Sequence, residues 1–163
     1  MFAIMTLFLV GGMVWWFLAP SIAFVRGFAG LIENSHTTPI ALGFPRFKSS
    51  ASGQFKGRTL RLTLLHPAEN IPGEGVVEMS TSAVDGEPWK DSALNRENPD
   101  LSRATFDLEG KYGLLLSLAD GWLRATWRRP GLKFPGPFDE AMWRNTLVQM
   151  DSIARWMEQR QKR

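Results

Sequence analysis

Residues 114–128 read LLLSLADGWLRATWR, and the pair Asp120-Gly121 at their centre decides how the second half of the chain folds. Asp-Gly supplies the positive φ angles that a tight hairpin turn needs. The arms, Leu114 to Leu118 and Trp122 to Arg128, are therefore expected to pair as antiparallel strands. In the second arm Leu123, Ala125 and Trp127 alternate with Arg124, Thr126 and Arg128, so one face is apolar and the other cationic.

Working outward, Thr59 to Leu64 (TLRLTL) alternates with period two and reads as a half-buried strand ended by His66-Pro67. Asn70 to Gly75 (NIPGEG) reads as a turn, and Val76 to Ser82 as a strand with Val77 and Met79 inward. Arg103 to Leu108 reads as a short strand with Phe106 and Leu108 inward. Asp85 to Asp100 is polar, holds Pro88 and Pro99, and reads as a loop with Trp89 as an anchor. Pro130 to Phe138 (PGLKFPGPF) has three prolines and no capacity for regular structure. Asp139 then caps a helix. In it Trp143, Leu147, Met150, Ala154 and Met157 recur at steps of four, three, four and three, a single apolar stripe. A helix with such a stripe needs a sheet to cover.

The amino-terminal quarter differs in kind. Phe2 to Val25, FAIMTLFLVGGMVWWFLAPSIAFV, holds 24 residues and no charge. As a helix it spans roughly 36 Å, more than the ~30 Å hydrocarbon core of a bilayer. Phe2, Phe8, Leu9, Trp15, Trp16, Phe17 and Phe24 are the expected anchor residues, with the Trp pair at one water–lipid boundary. Gly11 and Gly12 would let another helix approach. If the span ends near Phe17, Pro20 starts an interfacial helix through Ile32, with Arg26 and Glu33 at its polar edge. A cleaved signal peptide is the competing reading, since Ser21-Ile22-Ala23 offers small residues. Met1 to Thr6, however, lacks the positive start that a signal wants. A retained anchor is preferred to that, and to a buried helix of a soluble core. The Lys/Arg residues that follow (Arg26, Arg46, Lys48, Lys56, Arg58) put the carboxy-terminal domain in the cytoplasm by the positive-inside rule.

The expected fold is thus α+β: an amino-terminal transmembrane helix, then a small antiparallel β-sheet covered by a carboxy-terminal amphipathic helix. Residues 1–33 form the anchor, 34–53 a tether containing the breaker clusters Asn34 to Pro39 and Lys48 to Gly53, and 54–163 the water-soluble domain.

Charge is blocked along the chain. Arg26 to Arg61 carries six Lys/Arg and one Glu, Leu62 to Asp120 four Lys/Arg and eleven Asp/Glu, and Gly121 to Arg163 nine Lys/Arg and four Asp/Glu. The basic blocks are free either to neutralise the acidic middle or to face anionic lipid. Candidate lipid or partner contacts are Gly11, Gly12, Arg124, Arg128, Arg129, Arg160, Lys162 and Arg163. The acidic strip argues against nucleic acid.

No reaction is legible. There is no cysteine, which removes thiolate metal sites and Cys nucleophiles. His36 and His66 share no ligand spacing. No nucleophile elbow, phosphate loop or dinucleotide fingerprint is present. Asp107, Glu109 and Asp120 fall near expected strand ends. Asp107 and Glu109 would share the face opposite Phe106 and Leu108 and could serve acid–base chemistry, but a solvated strand face explains them as well. The expectation is no enzyme, no cofactor, no metal and no small-molecule substrate.

Four features fit together: Gly53-Gln54-Phe55-Lys56-Gly57-Arg58 before a strand, Thr105-Phe106-Asp107, Asp120-Gly121-Trp122-Leu123, and a closing helix. In these the stretch Gly53 to Glu158 resembles uncharacterised bacterial proteins in which a domain of unknown function sits behind one or two membrane spans. The resemblance implies a layout and a bacterial inner-membrane location, and brings no catalytic residues. The expected role is a bitopic, non-catalytic scaffold that binds protein or the membrane surface. The alternative is an accessory subunit of a larger membrane complex.

Overall fold

The structure is a computed structural model and describes residues 12, 18–41, 46–68, 70–83, 99–130 and 133–161. Helix α1 covers 18–29. It leads into β1 (Glu33–Ala41), β2 (Lys48–Phe55), β3 (Arg58–Leu65) and β4 (Gly73–Ser80). Helix α2 (Pro99–Thr105) continues as a π-helical turn, Phe106–Lys111. Then come β5 (Leu115–Ala119), β6 (Trp122–Arg129) and α3 (Glu140–Gln161). The strands make one antiparallel sheet in the order β1-β2-β3-β4-β6-β5. The fold is α+β, with an antiparallel sheet and a carboxy-terminal helix as expected.

The β5–β6 hairpin turns at Asp120 (φ 54°) and Gly121 (φ 73°), with Ala119 opposite Trp122. Met142 N–H donates to the Asp139 carboxylate (3.0 Å), which closes the cap of α3. The stripe Trp143, Leu147, Met150, Ala154 and Met157 is buried, joined by Ile153. It lies on the apolar sheet face made by Leu60, Leu62, Leu64, Val77, Met79, Leu123 and Ala125, each fully buried.

Three readings are corrected. The tether 34–53 is in large part sheet. β2 (KSSASGQF) shows no apolar alternation because it needs little: Ala51 fills its share of the core, and the buried hydroxyl of Ser49 is satisfied by hydrogen bonds. Arg103 to Leu108 is helical. Leu101, Ala104, Thr105 and Leu108 are buried at steps of three, one and three, while Phe106, expected inside, is 69% exposed. Asn70 to Gly75 is only half a turn, since β4 begins at Gly73. Gly73 and Gly75 sit in the strand because the rings of Phe134 and Trp127 lie against their backbones, where a Cβ would collide. Residues 84–98, including most of the expected loop and Trp89, lie outside the described residues.

The fourth correction concerns the anchor. Phe24 is 2% exposed, Val25 and Phe28 are fully buried and Ile32 is 8% exposed. The Phe24 ring meets Trp127 (5.7 Å), Phe138 (5.4 Å, edge-on) and Trp143 (5.5 Å, edge-on), and Phe28 meets Trp143 (5.8 Å). Phe24, expected among the anchor residues, is a core residue of the domain, held among the rings of Trp127, Phe138 and Trp143. Within residues 20–32 the side chains of Phe24, Val25, Phe28 and Ile32 thus pack inside the domain rather than forming a face for lipid, while Pro20 and Ala23 stay exposed. Among the described residues no helix is long and apolar enough to cross a membrane.

A polar clasp ties the start of β3 to the last turns of α3. Arg58 donates Nε to Asp151 Oδ1 (2.9 Å) and Nη1 and Nη2 to the two oxygens of Glu158 (2.7 and 2.8 Å). Thr81 Oγ1 and Ser82 N–H also donate to Glu158 (2.9 and 3.0 Å). The bond from Arg58 is the main reason that the Glu158 carboxyl is held down to about 2, against the cost of burial. Burial pushes the Asp151 carboxyl up, but the bonds from Arg155 and Arg58 outweigh it and leave the group below its ordinary range. A carboxyl depressed in the folded state adds stability above its unfolded value and loses it as pH falls toward the folded value. Arg58→Ala is accordingly expected to lower stability at neutral pH by about 2–3 kcal/mol. That deficit shrinks as pH drops from about 4.5 toward 2. Urea unfolding of both chains across that range checks it; a deficit independent of pH would assign the effect to packing of the Arg58 stem.

Candidate functional site

Arg124, Arg128 and Arg129, all candidate lipid or partner contacts, are separated by the geometry of their strand. Residues 124 and 128 point from the open face of β6. There the register sets Arg124 beside Glu78 and Arg128 beside Glu74. Both pairs close, Arg124 Nε to Glu78 Oε1 at 2.9 Å and Arg128 Nε to Glu74 Oε2 at 2.7 Å. This part of the acidic middle block is thus neutralised inside the fold. Neighbouring Arg61 stacks its guanidinium 4.4 Å from the centre of the Trp122 ring on the same face. Arg160, exposed on α3, lies 5.6 Å from the Trp156 ring centre. Gly12 is helical and exposed, with open space where a Cβ would stand. Phe2, Phe8, Leu9, Gly11, Trp15, Trp16, Phe17, Lys162 and Arg163 lie outside the described residues.

Arg129, one residue further along β6, turns to the helix-covered side. It forms one wall of a cleft of about 470 Å³, together with Lys133 and Gly136 of the proline-rich segment. The opposite wall is Pro20 and Ala23, one turn of α1, and Phe24, Phe134, Pro137 and Phe138 complete it. The segment 133–138 is held in place from below. Trp127 Nε1 donates to the Pro135 carbonyl (3.3 Å), the Phe134–Pro135 peptide is cis, and Phe134 is 5% exposed. Among the described residues neither Arg129 nor Lys133 has an ion-pair partner. The cleft therefore combines apolar walls with two uncompensated positive charges, a combination suited to an amphiphilic anion. Sequence reading singled out Arg129 but missed Lys133, Phe134 and Phe138. Three prolines in nine residues marked the segment as irregular without showing that it lines a cleft.

A second cleft, of about 450 Å³, opens between α2 and α3, lined by Asp100, Arg103, Gln149, Arg155 and Trp156 among others. Its charges are of both signs and give no preference for a ligand.

Two arrangements that resemble catalytic groups have structural explanations. Ser49 Oγ lies 2.9 Å from His66 Nε2, both residues buried. The serine hydroxyl donates its only proton to the Pro39 carbonyl. Hence His66 must donate Nε2–H to the serine and cannot take a proton from it. Burial lowers the His66 pKa and keeps the ring neutral. The carboxylates Asp107 and Glu109 do not share a strand face. Asp107 accepts from Gln149 Nε2 (2.8 Å), while Glu109 accepts from the Leu116 N–H of edge strand β5 (3.2 Å). Both side chains serve as braces between elements, and Glu109 also occupies a donor of an edge that would otherwise invite another strand.

No family model matches the chain, and no curated protein or solved structure matches it either. Function must therefore be argued from these features alone.

Proposed function

We infer that this chain is a single-pass membrane protein whose α+β domain is held at the bilayer surface, on the cytoplasmic side, and works by binding rather than by catalysis. The position of α1 carries the reading. Its Ser21, Phe24, Val25 and Phe28 belong to the domain core, which leaves residues 2–20 as the uncharged run ahead of it. As a helix that run measures about 28 Å, close to the ~30 Å hydrocarbon thickness and within the lengths that span. Trp15-Trp16 then fall near the boundary on the domain side, where indole rings favour the headgroup layer. With α1 built into the core, the distance between bilayer and domain is short. Arg26 and the Lys/Arg residues after it favour the cytoplasmic side.

The test is extraction. Membranes carrying the full chain, washed with alkaline carbonate, are expected to retain it, and mild detergent to release it. Appearance of the full chain in the carbonate supernatant would mean that residues 2–20 do not anchor it.

A further inference from the structure

We propose that the cleft between α1 and the segment 133–138 holds the phosphate headgroup of an anionic glycerophospholipid from the adjoining leaflet. The proposal rests on the membrane reading above and names the ligand of that surface. Three observations converge on it. The first is charge. Arg129 and Lys133 face the cleft without carboxylate partners among the described residues, whereas Arg124 and Arg128, on the same strand, are each neutralised. A guanidinium fork and an ammonium together match a phosphodiester. The second is the apolar wall of Pro20, Phe24 and Phe138. A free inorganic anion gains nothing from such a wall, while the glycerol and first methylenes of a lipid do. The third is place. Pro20 and Ala23 form one side of the cleft, and Pro20 is the last residue of the uncharged run ahead of the core. Any lipid beside an anchored chain is thus brought to the mouth of the cleft, and affinity need only select among lipids already present.

The selection follows from charge. Phosphatidylglycerol offers a phosphate with no compensating cation, whereas phosphatidylcholine carries a trimethylammonium that Arg129 and Lys133 repel.

The experiment uses the full chain in nanodiscs of equal parts phosphatidylglycerol and phosphatidylcholine, released in mild detergent and weighed by native mass spectrometry. The unaltered chain is expected to retain phosphatidylglycerol in preference to phosphatidylcholine. R129Q/K133Q is expected to lower that preference about tenfold. R124Q/R128Q, which removes the same formal charge, is expected to leave it unchanged. Arg128, Arg129 and Lys133 are exposed and Arg124 is half-buried; thermal midpoints close to that of the unaltered chain confirm folding of both variants. Equal loss in the two double variants would overturn the proposal in favour of a diffuse charge effect, and no loss in R129Q/K133Q would overturn it outright. Displacement of the lipid by excess inorganic phosphate would reassign the cleft to a free anion. Carbonate extraction of membranes carrying the same chains separates the two levels. Retention in the membrane without lipid preference removes the headgroup site and leaves the anchor standing, whereas release into carbonate removes both.

Discussion

A chain cut to begin at Ser52 is expected to show no cooperative unfolding transition, whereas one beginning at Leu18 folds. The first cut removes α1, β1 and half of β2. With them go Phe24, Val25, Phe28 and Ile32, none more than 8% exposed. Each such side chain contributes about 1.5–3 kcal/mol on burial, or roughly 6–12 kcal/mol together. A domain of this size is stable by only ~5–15 kcal/mol. The loss also bares the rings of Trp127 and Trp143, which Phe24 and Phe28 cover, and strips the second half of β3, Leu62 to Leu65, of its partner on that edge. Urea titration followed by near-ultraviolet circular dichroism distinguishes the outcomes. A sigmoidal transition in the Ser52 chain would show that α1 and β1 are appendages and that the sheet with α3 suffices.

The second large effect is expected at Leu147. Its side chain is fully buried in the stripe that α3 lays on the sheet. Truncation to Ala should cost ~2–5 kcal/mol through lost contact and the cavity left behind. Leu147→Asp places a carboxylate in that apolar core, and desolvating its charge costs several kcal/mol more. The expected result is a chain that does not fold, recovered in aggregates or with a molten near-ultraviolet spectrum. Arg144→Ala, on the outer side of the same helix, removes only an exposed i,i+4 pair with Glu140 (2.8 Å) and should shift stability by less than about 0.5 kcal/mol. An unchanged midpoint for Leu147→Asp would mean that the stripe is not core.

What was legible in the sequence follows a physical pattern. The β5–β6 hairpin and α3 were plain because local chemistry and tertiary role agree there. Asp120-Gly121 turns the chain, Asp139 caps, and the stripe faces the sheet. Reading failed where one residue type serves two environments. Phe24 and Phe28 suit a bilayer as well as a protein interior, and periodicity cannot tell which solvent they leave water for. The small residues of β2 read as a breaker cluster because its ladder with β1 and β3 comes from backbone, while Ser49 is held by partners distant in sequence. Arg103 to Leu108 fitted a period of two over six residues; extending the window back to Leu101 brings out the helical spacing of Leu101, Ala104 and Leu108. For the cleft, Arg129 was visible as one cation among several. Its separation from Arg124 and Arg128 depends on which side of β6 each side chain leaves and on where Glu74 and Glu78 fall in the register.

The contact of Phe24 and Phe28 with Trp143 also bears on biosynthesis. Helix α1 is synthesised long before its partner, since about 110 residues must be added after it before α3 begins. At ~5–20 residues per second that interval lasts roughly 5–20 s. Throughout it the aromatic side of α1 lacks Trp143 and has no finished core to enter. If residues 2–20 anchor the chain as proposed, the growing chain presents α1 to the insertion machinery as a continuation of that apolar run. Completion of α3 would then have to draw α1 back into the domain. On this view the segment is sorted twice, first by hydropathy during translation and later by the aromatic partners that only the finished chain supplies.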